Sequence, residues 1–477
     1  LVTTTDGQFL LLRNTGDTQN QVLRIELSGL ASNRTGVGTK VQMRAGSLRS
    51  RVETSAASPA VGPADLLFGV GQREGADVIR VLWPSGILQA ETAGVERGGD
   101  AVAGPQQYLP SIFPVREIDR KPSSCPLLYA WNGHRFEFVT DFLGGGEMGL
   151  WHGPSHYNSP DPLEYVRIRG DQLRPHDGVV ELRITNELEE ALFVDEVELL
   201  SFMHPQDIEI FPNEGMTYPP KSHEIHVVRD TRVPLQVIDD GGNDVTERIS
   251  YLDRNYVDSF PLTPFRGYAE KHTLTIDLGS VESSTTLLLT GWTDYAFSSD
   301  NVAAYQAGLG LQQPEFEIRD IHGRWRSTSV EVGVPVGRPQ TIAINLSDQL
   351  YPGEHEVRLS TNFRIYWDQI LIGETASSEP VLMTRLDTLS AELRARGFSA
   401  EVRPNGSEPP IYDYTHVTEI SPWKTMVGRY TREGDVKPLL TAVDDMFVIR
   451  MDGDEIALKF DGSSLDPLPT GWRRTYL

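Results

Sequence analysis

The chain has 477 residues, 39% hydrophobic and 23% charged, the balance of a globular protein and not of a disordered one. That length exceeds one ordinary core and implies two to four domains. Acidic residues outnumber basic ones 67 to 43; the formal charge of −24 repels phosphate backbones and excludes nucleic acid as an expected partner. No stretch approaches the ~18 apolar residues that span a bilayer, so no transmembrane segment is expected. The single cysteine, Cys125, excludes an intrachain disulfide framework. The first residues, "LVTTTDGQFLLL", and the last, "GWRRTYL", read as the edges of a longer polypeptide.

In chain order, strand and turn signals dominate. Asp6-Gly7 is a turn before the strand Phe9–Arg13. Val22–Leu27 alternates apolar and polar side chains, as a half-buried strand requires. Lys40–Arg44 and Val78–Trp83 follow, with Leu66–Phe68 expected to end in a tight turn at Gly69 and Gly71. "AASPAVGPADLLFG" is a Pro/Ala loop, and residues 94–126 are rich in Gly and Pro and read as a linker. Asn132-Gly133 separates Leu127–Trp131 from Arg135–Val139, and Asp452-Gly453 separates Phe447–Met451 from Glu455–Phe460. Both dipeptides suit type I′ hairpin turns. Val179–Ile184 is another alternating strand. In "EPVLMTRLDTLSAELRARGF", Leu382, Leu386, Leu389 and Leu393 recur at helical spacing with Gly397 as a C-cap, which predicts a helix packed on a sheet.

The expected fold class is mainly β, with several antiparallel β-sandwich-like domains in series and a small α+β C-terminal part. The expected boundaries are 1–19, 20–94, a linker at 95–124, then 125–258, 259–373 and 374–477.

Four ordered motifs carry a family resemblance: Leu27-x-Gly29, Ser32-Asn33-Arg34-x-Gly36-x-Gly38, Phe68-Gly69-Val70-Gly71 and Trp83-Pro84-Ser85-Gly86. Residues 20–94 thereby resemble the ASPIC/UnbV module of cartilage-acidic-protein-like and bacterial FG-GAP (VCBS) repeat proteins. Val70 stands where that family usually has Leu. The resemblance implies a preceding calcium-bearing β-propeller, to whose last blade residues 4–16 are similar. Beyond residue 122, "CPLLYAWNG", "NFRIYWDQI" and "DDMFVI" resemble the C-terminal region of large bacterial members. The segment 259–373 resembles a lectin-type or discoidin-like sandwich, in which the closing strand runs beside the opening one.

The ligand-type side chains form three candidate groups. His152 and His156 stand four apart, a metal spacing on a helix, but Gly153-Pro154-Ser155 lies between them. Gly145, Trp151, His152 and His156 are therefore read as a possible pocket beside the Gly144–Gly146 run. Asp239, Asp240, Asn243 and Asp244 in "DDGGND" are the candidate calcium ligands, four oxygen donors on a Gly-Gly turn without the spacing of an EF-hand loop. Trp292, Trp325 and Trp367 are candidate stacking platforms for a sugar ring. There is no GxSxG, HExxH or phosphate loop, and 67 acidic residues give too many chance pairs to nominate a catalytic two. Asn33, Asn345 and Asn405 begin N-glycosylation triplets, which are meaningful in a secreted protein.

The functional expectation is a non-enzymatic protein located outside the cell, on its surface or in the periplasm. It requires no cofactor other than optional calcium and acts in adhesion, matrix or assembly through protein partners or self-assembly. The alternatives are a glycan-binding or glycan-active protein using residues 259–373, and a periplasmic accessory subunit of a larger complex.

Overall fold

The structure, a computed structural model, describes residues 2–13, 19–30, 32–56, 65–73, 75–85, 88–92, 111–117, 126–143, 150–157, 162–188, 190–217, 224–281, 284–376, 379–421, 423 and 428–477. Its chain divides into two compact units, one built from residues 1–120 and one from the bulk of 121–477.

In the first unit the predicted alternations become two facing sheets. Leu66–Gly71, Gln21–Ser28 and Ser111–Arg116 form a three-stranded sheet, the last strand parallel to the second. Leu48–Glu53, Lys40–Ala45, Val78–Leu82 and Leu88–Thr92 form an antiparallel four-stranded sheet. The inward side chains, Leu23, Ile25 and Phe68 from one sheet and Val41, Met43 and Ile79 from the other, meet in one core. Each such fully buried side chain stabilises the fold by about 1.5–3 kcal/mol. The strand at Leu66 continues through Gly69 and ends at Gly71, whose φ of +67° leads into the turn. Residues 111–116, expected within the linker, complete its sheet. The Asp6-Gly7 turn forms, with Gly7 at φ +83°, and joins Val2–Thr3 to Phe9–Leu10.

The second unit holds two sandwiches. In the first, a six-stranded sheet runs in the order Phe136–Asp141, Leu127–Trp131, Val179–Thr185, Asp454–Asp461, Thr388–Ala395, Gly434–Asp435. A four-stranded sheet of Ile168–Arg169, Trp472–Tyr476, Leu199–Pro205 and Leu382–Leu386 packs on it through Val180, Leu182, Ile184, Leu393 and Ile456. The second sandwich lies between these strands in sequence. One sheet orders Ile208–Pro212, Ile225–Arg232, Ile365–Thr375, Thr285–Thr293 and Gly337–Asn345; the other orders Gln236–Asp239, Tyr268–Asp277, Glu356–Phe363, Glu315–Arg319 and Trp325–Ser327. Glu356–Phe363 runs beside Tyr268–Asp277, but the last strand of this segment, Ile365–Thr375, lies in the other sheet beside Thr285–Thr293 and not beside the opening one.

Three expectations are corrected. The predicted helix at 379–398 is strand: Leu382–Leu386, Thr388–Ala395 and the start of Phe398–Val402. The C-terminal part therefore has no α-helix among its described residues; the α-helix described is Ser298–Gln306. Strand pairing also runs across the expected breaks, since Gln236–Asp239 pairs with Tyr268–Asp277 and Ile365–Thr375 spans residue 373. Finally, Asn132-Gly133 sits in a four-residue loop between Trp131 and Phe136, where the Asn132 side chain accepts the N–H groups of His134 and Arg135 at 3.0 Å. Only Gly133 of that pair has positive φ, so the turn is not type I′. Asp452-Gly453 joins strands that pair with other partners and not with each other.

Candidate functional site

The family-type motifs of the first unit converge on one carboxylate. Glu117 follows the strand Ser111–Arg116 and is 3% exposed. It accepts the N–H groups of Leu30 at 2.6 Å and Ser32 at 2.7 Å, and the hydroxyls of Ser32 at 2.7 Å and Ser85 at 2.5 Å. Burial pushes this carboxyl up, but the hydrogen bonds from Ser85, Ser32 and Leu30 together outweigh it and hold the group below its usual range. The loop that reaches Glu117 needs its glycine: a Cβ on Gly29 would lie 2.2 Å from the carbonyl oxygen of Asn33. Asn33 closes the same loop, donating to the Val37 carbonyl at 2.7 Å and accepting the Val37 N–H at 2.8 Å. Trp83 donates to Gln89 at 2.8 Å, and Gln89 donates to the Arg116 carbonyl at 2.9 Å. The motifs thus fasten the closing strand to the rest of the sandwich. Four donors from the protein itself thus meet the two oxygens of Glu117.

A second charged cluster lies on the far face of the six-stranded sheet. Val180, Leu182 and Ile184 point into the sandwich core, so Arg183 and Thr185 point away, where the hairpin Phe398–Val402 and Ile411–Thr418 covers them. Glu455, fully buried between Thr185 and Arg394 in register, accepts Arg394 at 2.6 and 2.9 Å and the Tyr414 hydroxyl at 2.8 Å. Arg396 bridges it, at 3.3 Å, to the equally buried Glu187, at 3.7 Å. Glu187 also accepts the Ser399 N–H at 2.9 Å and the Thr185 hydroxyl at 3.1 Å. Burial raises the Tyr129 and Tyr414 hydroxyls, which keeps both as donors at neutral pH. Two carboxylates close together suggest acid–base chemistry, but here guanidinium, hydroxyl and amide donors engage both. The arrangement locks a hairpin onto a sheet.

The sequence-predicted residues fall in three places. Asp239, Asp240, Asn243 and Asp244 share one turn, with Gly242 at φ +79°; Asn243 meets Asp239, while Asp240 and Asp244 engage other donors. Asp239 accepts Asn243 and the Ser259 hydroxyl, the latter at 2.6 Å; Asp240 accepts Thr273 at 2.9 Å. Asp244 accepts Gln236 and Thr246, which hold its carboxyl down at about 2. Each carboxylate thus has its own donor, and the turn is a hydrogen-bonded corner and not a calcium cage. Among the described residues no three His, Cys, Asp or Glu side chains are grouped to hold a metal ion.

Two of the three glycan candidates are buried. Trp292 is 5% exposed and stacked on Tyr366 at 4.5 Å, and Trp367 is 6% exposed within the core. Trp325 is half-buried with the Arg358 guanidinium 4.4 Å from its ring centre. The fold brings Trp367 together with Asp239, Asp240, His272 and Phe260 around a cavity of about 20 Å³. Trp151, His152 and His156 form a short hairpin docked on the helix Ser298–Gln306. Asn301 donates to the Trp151 carbonyl at 2.8 Å, and the Trp151 ring meets Tyr305 edge-on at 5.7 Å. The two imidazoles are 6.2 Å apart across the turn. Gly145 and Cys125 lie outside the described residues.

Residues 29–94 match the family model described as ASPIC and UnbV. They are an ASPIC/UnbV module. No curated protein and no solved structure matches the chain. The motifs that identify the ASPIC/UnbV module are the ones that organise the loop around Glu117, a residue beyond the matched range. Sequence reasoning placed Glu117 in a linker, because nothing in "FPVREIDRKP" marks its strand as the closing member of a sheet. Glu187, Glu455 and Arg396 were missed because their partners come from distant segments: Glu187 follows Val179–Thr185, Glu455 lies on Asp454–Asp461, and Arg396 stood within the predicted helix.

Proposed function

We propose that the chain acts by non-covalent recognition outside the cell, on its surface or in the periplasm, as a multi-sandwich scaffold in adhesion, matrix or envelope assembly. The ASPIC/UnbV module is not an enzyme family. The observation that carries the reading is the fate of the buried acids: Glu117, Glu187 and Glu455 are each engaged by donors from the protein itself. They support shape and not turnover. The glycan-active alternative for residues 259–373 loses support with the burial of Trp292 and Trp367. The experiment is a turnover screen of the purified chain on glycoside, ester and phosphoester substrates, paired with protease shaving of intact source cells. No turnover is expected, and the chain should be cut by external protease or released with the periplasm by osmotic shock. Turnover that Glu455→Gln abolishes, or a chain that stays with the cytosol after osmotic shock and is protected until cell lysis, would overturn the proposal.

A further inference from the structure

The outward face of the four-stranded sheet in the first unit is basic. Val41, Met43, Ile79 and Val81 point into the core, so the alternate positions point to solvent. There Arg44 stands directly opposite Arg49, and Gln42 stands between Arg51 and Arg80 on its two neighbouring strands. Lys40 follows on the same face, with Glu53 opposite it at the end. Arg44, Arg49, Arg51 and Arg80 are exposed, and among the described residues none of the five cations forms an ion pair. Elsewhere the exposed arginines are commonly paired, as Arg24 is with Glu26 and Asp65. Like charges directly opposite across strands destabilise a sheet, and among the described residues no carboxylate forms an ion pair with Arg44 or Arg49 to offset this. The wider charge distribution sharpens the contrast. Residues 1–120 contain twelve basic and twelve acidic residues, so the whole formal charge of −24 lies in residues 121–477.

We propose that this sheet face binds an acidic polysaccharide, its guanidinium and ammonium groups pairing with carboxylates or sulfates spaced along one glycan chain. The strand spacing of about 5 Å sets the cations in rows that a linear polymer with one charge per sugar can follow. Arginine forks match carboxylate and sulfate oxygens. The centre of the face is Gln42 flanked by arginines, without the buried apolar and aromatic anchors on which protein interfaces concentrate their energy. No aromatic side chain lies among its cations to stack nucleobases, which disfavours single-stranded nucleic acid. At physiological salt the Debye length of about 8 Å screens charges beyond the direct contacts and leaves those contacts intact. The inference goes beyond the reading as a recognition protein, and the two fail separately: loss of glycan binding leaves external location and lack of turnover untouched.

The test uses the full chain and labelled oligosaccharides from heparin and alginate, read by fluorescence anisotropy. A neutral dextran and a single-stranded DNA of equal charge are the comparators. Both acidic glycans are expected to bind, with affinity falling about tenfold between about 50 and 200 mM salt. Arg44→Gln/Arg49→Gln/Arg51→Gln should weaken binding by about tenfold or more, and Arg80→Gln alone by about threefold. Arg135→Gln/Arg324→Gln/Arg385→Gln, the same charge change at other sites, should leave it within about twofold. Because Gln relieves the Arg44–Arg49 repulsion, the sheet variant should melt no lower than the parent. Absence of glycan binding at low salt, equal binding by the sheet variant, or tighter binding of the DNA would each overturn the proposal.

Discussion

Asp368, on the strand Ile365–Thr375, is 3% exposed and accepts the Arg254 N–H at 2.9 Å. Burial is the larger influence and pushes its carboxyl up to about 6, against the backbone hydrogen bonds that favour the anion. In the unfolded chain the group ionises near pH 4. Between those two values the native state holds the proton that the unfolded state has released. The contribution of Asp368 to stability therefore falls as pH rises from about 4 to about 6 and is level above. Asp368→Asn keeps the Oδ1 acceptor and removes the titration. The variant should gain on the order of 1–3 kcal/mol over the parent above pH 6 and nothing below about pH 4, measured from urea midpoints across pH. The same difference at both ends of the range would show that titration is not the cause. Glu117 is the opposite case: its carboxyl is held below the usual range, so its contribution is present at neutral pH and is lost as acid protonates it. Both are buried acids among 67 in the sequence, and only the donors around each decide the sign.

The leucine series at 382–393 separates helix from strand at the scale of an element. On a helix all four leucines share one stripe and all are buried. In the structure Leu386 and Leu393 are 3% and 1% exposed, whereas Leu382 and Leu389 are 52% and 47% exposed. Leu393→Ala should therefore cost about 2–5 kcal/mol and Leu389→Ala within about 0.5 kcal/mol, read by chemical denaturation of the full chain. Similar losses at both sites would restore the helical reading. The misreading has a physical origin. Asp387 breaks the run into two strands, and a bulge between Thr388 and Ser390 shifts the second. Leu-, Arg- and Glu-rich composition favours helix locally, but pairing with Asp454–Asp461 on one side and Leu199–Pro205 on the other overrides it. Such partners are far away in sequence and invisible to local periodicity. The strands Gln21–Ser28 and Val179–Thr185 were legible because period-two alternation coincides with strong β propensity and a buried face. The candidate calcium turn was legible as a turn, while the destination of its oxygens was not, because Ser259 and Thr273 come from other segments.

At the scale of the second unit, Arg338 is one of several ties between the two sandwiches, beside the Arg473–Glu209 ion pair and the apolar cluster of Leu200, Phe202, Ile208 and Ile210. Arg338 begins the strand Gly337–Asn345 of the second sandwich and is 1% exposed. Its Nε lies 3.7 Å from the Asp141 carboxylate in the six-stranded sheet of the first, and its N–H donates to the same group at 3.2 Å. The guanidinium also donates to the Pro410 carbonyl and, at 2.8 Å, to the Tyr412 hydroxyl, whose ring it overlies at 5.1 Å. Gln340, two residues on, donates to Glu164 at 3.0 Å. Because the second sandwich is inserted between strands Leu199–Pro205 and Leu382–Leu386, it is covalently held at both ends, and these polar contacts set its seating on the first. Removing one partner of a buried ion pair leaves the other charge without compensation, at a cost of about 3–5 kcal/mol. Arg338→Ala should lower stability by that order. Calorimetric unfolding of the unit should stay a single transition but at lower temperature, because an apolar cluster of Leu200, Phe202, Ile208 and Ile210 still joins the two sandwiches. Arg338→Ala combined with Asp141→Ala should recover part of the loss, because the stranded carboxylate is then gone. A single transition at unchanged temperature in Arg338→Ala would mean that apolar contacts alone couple the sandwiches and that the arginine only fills space.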